Sequence, residues 1–180
     1  AIGHNALVAN TTGANNVALG QNALVANTTG QRNVALGVIA LDANTTGAYN
    51  VALGYGAGGA NTTASHNIAV GYKAMETNST GTRIIAIGAS AYSSSDTEND
   101  NLAIGHNAMA ADTAGGQYNV AIGNYSLDAL TSGDNNTAVG YGALSDNTTA
   151  GKNSAFGTSA LGNTTTGENN TAVGALSLFD

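Results

Sequence analysis

The chain has 180 residues, of which 8% are charged, with a net charge of −7, 25 glycines, no proline and no cysteine. The acidity argues against nucleic acid as a partner, because phosphates require a basic surface, and Arg32, Lys73, Arg83 and Lys152 do not cluster in sequence. The lack of cysteine excludes disulfides and thiolate metal sites. Apolar runs such as Ile84-Ile85-Ala86-Ile87 are too short to enter a bilayer as a span.

One motif recurs along the whole chain. Asn16-Val17-Ala18-Leu19-Gly20 returns as Asn33-Val34-Ala35-Leu36-Gly37, 17 positions later. Its glycine falls at Gly3, Gly20, Gly37, Gly54, Gly71, Gly88, Gly105, Gly123, Gly140, Gly157 and Gly174, always in steps of 17 except for one step of 18 before Gly123. A repeat on this scale means a stacked array rather than a globule with a private core. Residues 1–180 are therefore read as a single array. It begins and stops inside a unit without polar caps, as expected of an excerpt from a longer fibre.

Within a unit, apolar residues do not recur at helical spacing, so strands and turns are expected. In Asn16 to Gly20, Val17 and Leu19 share one face and Asn16, Ala18 and Gly20 the other. Asn22-Ala23-Leu24 reads as a second short strand. Asn27-Thr28-Thr29-Gly30 reads as a turn in which asparagine and threonine bond the local backbone and glycine takes positive φ. One unit buries too little to stand alone, and stacking in register lets each strand bond to its copy in the next unit. The fold expected is all-β: a parallel β-solenoid, or β-roll, of about ten 17-residue coils, roughly 50 Å long.

Composition along each column sets an expectation of burial. The Ala18 position is alanine in every unit, and the Leu19 position is aliphatic or aromatic throughout. The position after the glycine varies freely (His4, Gln21, Val38, Tyr55) and reads as solvated. Two restricted faces point to a strand covered on both sides. The aliphatic face is expected to fill the coil, looser toward Thr137, Ser154 and Thr171. The small face is expected to pack on another copy of the chain through Ala18, Ala35, Ala52, Ala69, Ala86, Ala103, Ala121, Ala138, Ala155 and Ala172. The extra residue before Gly123 is placed in a turn within residues 112–118.

Asn136-Thr137-Ala138-Val139-Gly140-Tyr141-Gly142-Ala143-Leu144, followed by Asn147-Thr148-Thr149, resembles the repeats of phage tail-fibre and bacterial surface proteins. Asn15-Asn16-Val17-Ala18-Leu19-Gly20 is similar to the shorter head repeats of trimeric autotransporter adhesins of the YadA type. The resemblance implies a left-handed β-roll, a homotrimer, and a location on a cell surface or virion.

Local features are weighed against blander readings. His4 and His106 share a column but lie six units apart, too far to share a metal within one chain, and read as surface histidines. Asp96, Glu98 and Asp100 alternate like the start of a calcium loop but lack its glycine and closing glutamate, so a solvated variant turn is preferred and no cofactor is expected. Asn10, Asn27, Asn44, Asn61 and Asn147 match the glycosylation sequon, which the turn reading already explains. Tyr55, Tyr72 and Tyr141 are candidates for glycan contact, with an aromatic ladder the favoured alternative. No pair of acids suggests hydrolysis, and no enzyme activity is expected.

The function expected is structural: a stiff spacer and attachment surface of an extracellular fibre, partnered by copies of itself and by host-surface glycans or proteins. The alternatives are a self-assembling extracellular filament subunit and an ice-binding solenoid. The ice-binding reading is weakened because Thr11 and Thr12 are adjacent and their columns break at Asp96 and Leu130.

Overall fold

In a computed structural model that describes residues 1–111 and 116–179, the chain is a parallel β-solenoid. Each coil contributes one three-residue strand: β1 (Val17–Leu19), β2 (Val34–Leu36), β3 (Val51–Leu53), β4 (Ile68–Val70), β5 (Ile85–Ile87), β6 (Leu102–Ile104), β7 (Val120–Ile122), β8 (Thr137–Val139), β9 (Ser154–Phe156) and β10 (Thr171–Val173). They form one sheet in sequence order, every pair parallel. The register superposes like on like: Ala18 pairs with Ala35, Ala35 with Ala52, and Ala103 with Ala121 across the 18-residue step. The extra residue leaves the strand phase intact, and most of the segment expected to hold it, residues 112–115, lies outside the described residues.

The face assignment is the reverse of the one expected. In every strand the central alanine is buried and its two neighbours are half-buried or exposed. The alanine column faces the interior, where it forms a continuous core with the Ala23 and Leu24 columns. The physical reason is the narrowness of the coil. A Cβ placed on Gly58, which occupies the Leu24 column, would lie 3.0 Å from Leu41 Cδ2 and 4.0 Å from the Ala52 Cβ. The leucine column thus reaches across to the strand, leaving space for a methyl group there and nothing larger. Thr137, Ser154 and Thr171 point outward and do not loosen the interior, which continues through Ala138, Leu144, Ala155 and Leu161.

The second expected strand is absent. Asn22 and Leu24 both have left-handed backbone, φ 58° and 51°. Around them Ala23 N–H donates to Gly20 O (3.3 Å), Val25 N–H to Asn22 O (3.3 Å) and Asn27 N–H to Leu24 O (3.1 Å), a run of tight turns. These turns also bond between coils: Asn22 N–H donates to His4 O, and Leu24 N–H to Ala40 O. Left-handed backbone disfavours leucine, and the buried side chain with its inter-coil bond holds it there. Because the backbone is not extended, Ala23 and Leu24 do not alternate, and both are fully buried.

Two asparagine ladders complete the interior. Asn33 Nδ2 donates to Gly47 O (2.8 Å), and its Oδ1 accepts from the Asn50 backbone N–H in the next coil (2.9 Å). In the second ladder, Asn44 Nδ2 donates both to Asn27 Oδ1 (2.8 Å) and to Gly47 O (3.1 Å). The expected bond from asparagine to local backbone is therefore present. The glycine of Asn-Thr-Thr-Gly is not the left-handed residue: that role falls two positions later, on Arg32 and its equivalents. Space is tight at Gly30, where a Cβ would lie 2.4 Å from both Asn27 Oδ1 and Gly47 O, yet Ala64 and Ala150 stand in the same column, so a coil accommodates a methyl group there by local adjustment.

Candidate functional site

A solenoid with a filled interior offers its outward columns as working surface. The first is the outer face of the sheet, with two parallel columns of side chains, Val17-to-Thr171 and Leu19-to-Val173. Each is aliphatic through β7, and Leu19, Ile68, Ile85, Ile87 and Phe156 are among its exposed members. It forms an apolar stripe about 45 Å long at the usual strand spacing. The ten alanines expected at a chain–chain contact lie inside the coil, at most 3% exposed, so the apolar surface open to another copy is this aliphatic stripe.

The second surface is the variable column. Tyr55 and Tyr72 are exposed and stack with centroids 5.6 Å apart at 16°. Lys73, paired with Glu76 at 2.7 Å, sits over the Tyr72 ring. Tyr141 meets Tyr125 edge-on at 5.7 Å, and Tyr125 meets His106 likewise at 5.4 Å. The aromatic ladder is thus the observed geometry of these tyrosines, and Tyr125 from the adjacent column joins it. In sequence Tyr125 sits one place off the tyrosine column, which hid the contact.

A third surface was not singled out from sequence. Asn15, Arg32, Tyr49, His66, Arg83, Asp100, Tyr118, Asn135, Lys152 and Asn169 occupy one column, each with φ between 56° and 65°. In four successive coils this column holds Arg32, Tyr49, His66 and Arg83. The Arg32 guanidinium lies 5.2 Å from the Tyr49 ring centroid and donates to the Tyr49 hydroxyl. Tyr49 and His66 stack at 4.9 Å, 8° from parallel. Arg83 makes a two-point bond to Asp100, 2.6 and 2.7 Å, and the guanidinium holds the Asp100 carboxyl below the usual carboxylate range. Three of the chain's four basic residues lie in this column, a clustering that only the 17-residue alignment reveals.

The three acids of the variant turn take separate partners. Asp96 bonds the Ser79 hydroxyl, Asp100 is committed to Arg83, and Glu98 turns inward, accepting from the backbone N–H of Asp96 and Thr97 at 3.1 Å. Among the described residues no cluster of three metal-ligating side chains exists. This coil is rebuilt internally as well. Tyr92 replaces the core leucine and Ile84 the ladder asparagine, and the Tyr92 hydroxyl accepts from Asn101 Nδ2 at 2.9 Å. Burial pushes the Tyr92 phenol up to about 12. Asn27, Asn44, Asn61 and Asn147 are at most 1% exposed, so in the folded chain their amides cannot receive a sugar. The threonine hydroxyls that begin each Asn-Thr-Thr turn do not bond the local backbone as expected but are directed along the axis to the next coil: Thr28 Oγ1 donates to Thr45 O and Thr45 Oγ1 to Thr62 O, both 3.1 Å.

Among the described residues, no helix is long and apolar enough to cross a membrane. No family model, curated protein or solved structure shows significant similarity to the chain, whose assignment therefore rests on its own geometry: a repeat protein of the parallel β-solenoid class.

Proposed function

We propose that the chain is a stiff segment of an extracellular fibre, of the surface-adhesin or phage tail-fibre kind, in which copies bundle through the aliphatic face of the sheet. The observation that carries this is the uncovered stripe itself. Val17, Leu19 and their successors are kept aliphatic through seven strands while pointing away from the chain's own core. An apolar patch this long and regular marks an interaction surface. Copies packed along it keep the rods coaxial and add bending stiffness, and three around one axis is the arrangement the sequence resemblance implies. The outward ladders remain free for attachment to host-surface glycans or proteins. No chemical reaction is assigned to the chain.

Light scattering of the folded protein tests the bundle. The expected mass is about three times the 17.6 kDa of one chain. Replacing Leu53 and Ile104, one outward residue on each of two strands, by lysine should reduce it to one chain while circular dichroism stays unchanged. Native protein that runs as a monomer at micromolar concentration would remove the proposal.

A further inference from the structure

We infer that the edge formed by Arg32, Tyr49 and His66 is a binding site for carboxylated polysaccharide, a chain of uronic acid sugars. The inference rests on the attachment part of the proposed function and not on bundling.

Its first support is the cost of the column. Left-handed backbone suits asparagine, which stands at Asn15, Asn135 and Asn169 with φ 59–62°. At Arg32, Tyr49 and His66 the same backbone carries larger side chains, φ 56–65°, in three successive coils, with Arg83 next. A conformation less suited to these residues, retained coil after coil where asparagine would serve the fold, points to a use for the side chains.

Second, the geometry of the ladder selects the ligand. Both faces of Tyr49 are covered, one by the Arg32 guanidinium and one by His66. A sugar therefore cannot stack on that ring. The ladder instead presents edges: guanidinium N–H groups, a phenolic hydroxyl and imidazole nitrogen. Beyond the bond from Arg32 to the Tyr49 hydroxyl, the Arg32 guanidinium and the His66 ring meet no protein acceptor among the described residues. Both are exposed. Such donors, repeated about every 4.8 Å along a straight edge, fit an extended polymer that offers oxygens and periodic carboxylates.

Third, charge along the rod favours an anion at this place alone. Residues 1–76 contain Arg32 and Asp42 with the paired Lys73 and Glu76, a net charge of 0. Residues 77–180 contain the other nine acids with Arg83 and Lys152, a net charge of −7. A polyanion is repelled from the second part and admitted to the first. Lys152, in the same column, lies among Asp134 and Glu168, which line the depression around it.

The test measures binding of the full chain to polygalacturonate, with the methyl-esterified polymer as a neutral control. Arg32→Asn, Tyr49→Asn and His66→Asn each install the residue that other coils carry at this backbone, so the fold should persist, which circular dichroism verifies. The acidic polymer should bind in a salt-sensitive manner and the ester should not. Arg32→Asn should weaken binding about tenfold, the scale of one charge-assisted hydrogen bond. His66→Asn and Tyr49→Asn should weaken it less, and Lys152→Asn should leave it unchanged. No binding of the acidic polymer, equal binding of the ester, or folded Arg32→Asn protein that binds as tightly as the original would overturn the inference. Light scattering on the same samples separates this from bundling: a change of mass with unchanged polymer binding concerns the aliphatic face and not the ladder.

Discussion

The glycine that closes each strand has two duties, and they can be separated. Gly37 has φ 144°, a region disfavoured for other residues, and a Cβ there would lie 2.2 Å from Gly54 O. Gly174 has φ 124° but nothing within 4 Å of a Cβ. Gly174→Ala therefore incurs backbone strain only, about 1–2 kcal/mol. Gly37→Ala adds a backbone collision that no side-chain rotation relieves, and should cost about 2–4 kcal/mol. Urea denaturation of the two variants is the measurement, and equal losses would show that coil-to-coil approach is not what fixes this glycine.

At the scale of the coil, the repeat, the in-register parallel stacking of the Asn16–Gly20 segment, and the asparagine turn were legible in the sequence because each leaves a periodic mark, whereas the second strand expected at Asn22–Leu24 is a run of tight turns. Which face of the strand turns inward was not. Alanine at position 18 and leucine at position 19 are both invariant in character, and alternation alone assigns neither to the core. The deciding fact is the Leu24 column, whose reach across the coil leaves room only for methyl groups, and its burial depends on left-handed torsions that propensity assigns to asparagine or glycine rather than leucine. The basic and aromatic ladder was missed for another reason. Its members are ordinary surface residues in sequence and become neighbours only once 17 positions equal one rise. The Asn27 column was read as a turn former and the Asn16 column as a strand residue beside the alanine, whereas both form the polar spine of the interior. Asn50 receives nothing from solvent: its Nδ2 donates to Ala64 O (2.8 Å) and its Oδ1 accepts from Asn67 N–H (3.0 Å). Asn50→Leu keeps the branched outline with bulkier ends, leaves the Asn67 N–H buried without that acceptor and removes a bond from Ala64, so a loss of about 2–4 kcal/mol is expected. Hydrogen exchange should show the damage concentrated in the Asn67 amide and its neighbours. Protection unchanged at Asn67 would mean that backbone stacking alone holds the coils.

For the whole rod, the unequal distribution of acids makes stability depend on pH in a direction that can be worked out. Asp42 and Asp128 are half-buried beside the coil wall, and burial raises the pKa of both carboxyls above the ordinary value, with Asp146 adding to the effect at Asp128. A raised folded pKa means that the native state holds the proton more tightly than the unfolded chain. Stability from these groups is therefore fully present below the unfolded pKa and is lost as pH rises through the folded one. Asp100 acts in the opposite sense: Arg83 lowers its pKa, so its contribution is present above the unfolded value and disappears as pH falls through the folded one. That pair is exposed and screened, so its weight is small. Acidification also removes repulsion among the ten acids of residues 76–180. Moving from pH 7 down through the carboxylate range should thus raise the melting temperature. Asp42→Asn with Asp128→Asn keeps oxygen acceptors for the backbone N–H groups that the carboxylates now receive, and removes the charge. The double variant should melt higher than the original at pH 7 and vary less with pH, as read by calorimetry from pH 7 down through the carboxylate range. An undiminished slope in the double variant would place the pH dependence in the diffuse acidic field of the rod rather than in these two half-buried groups.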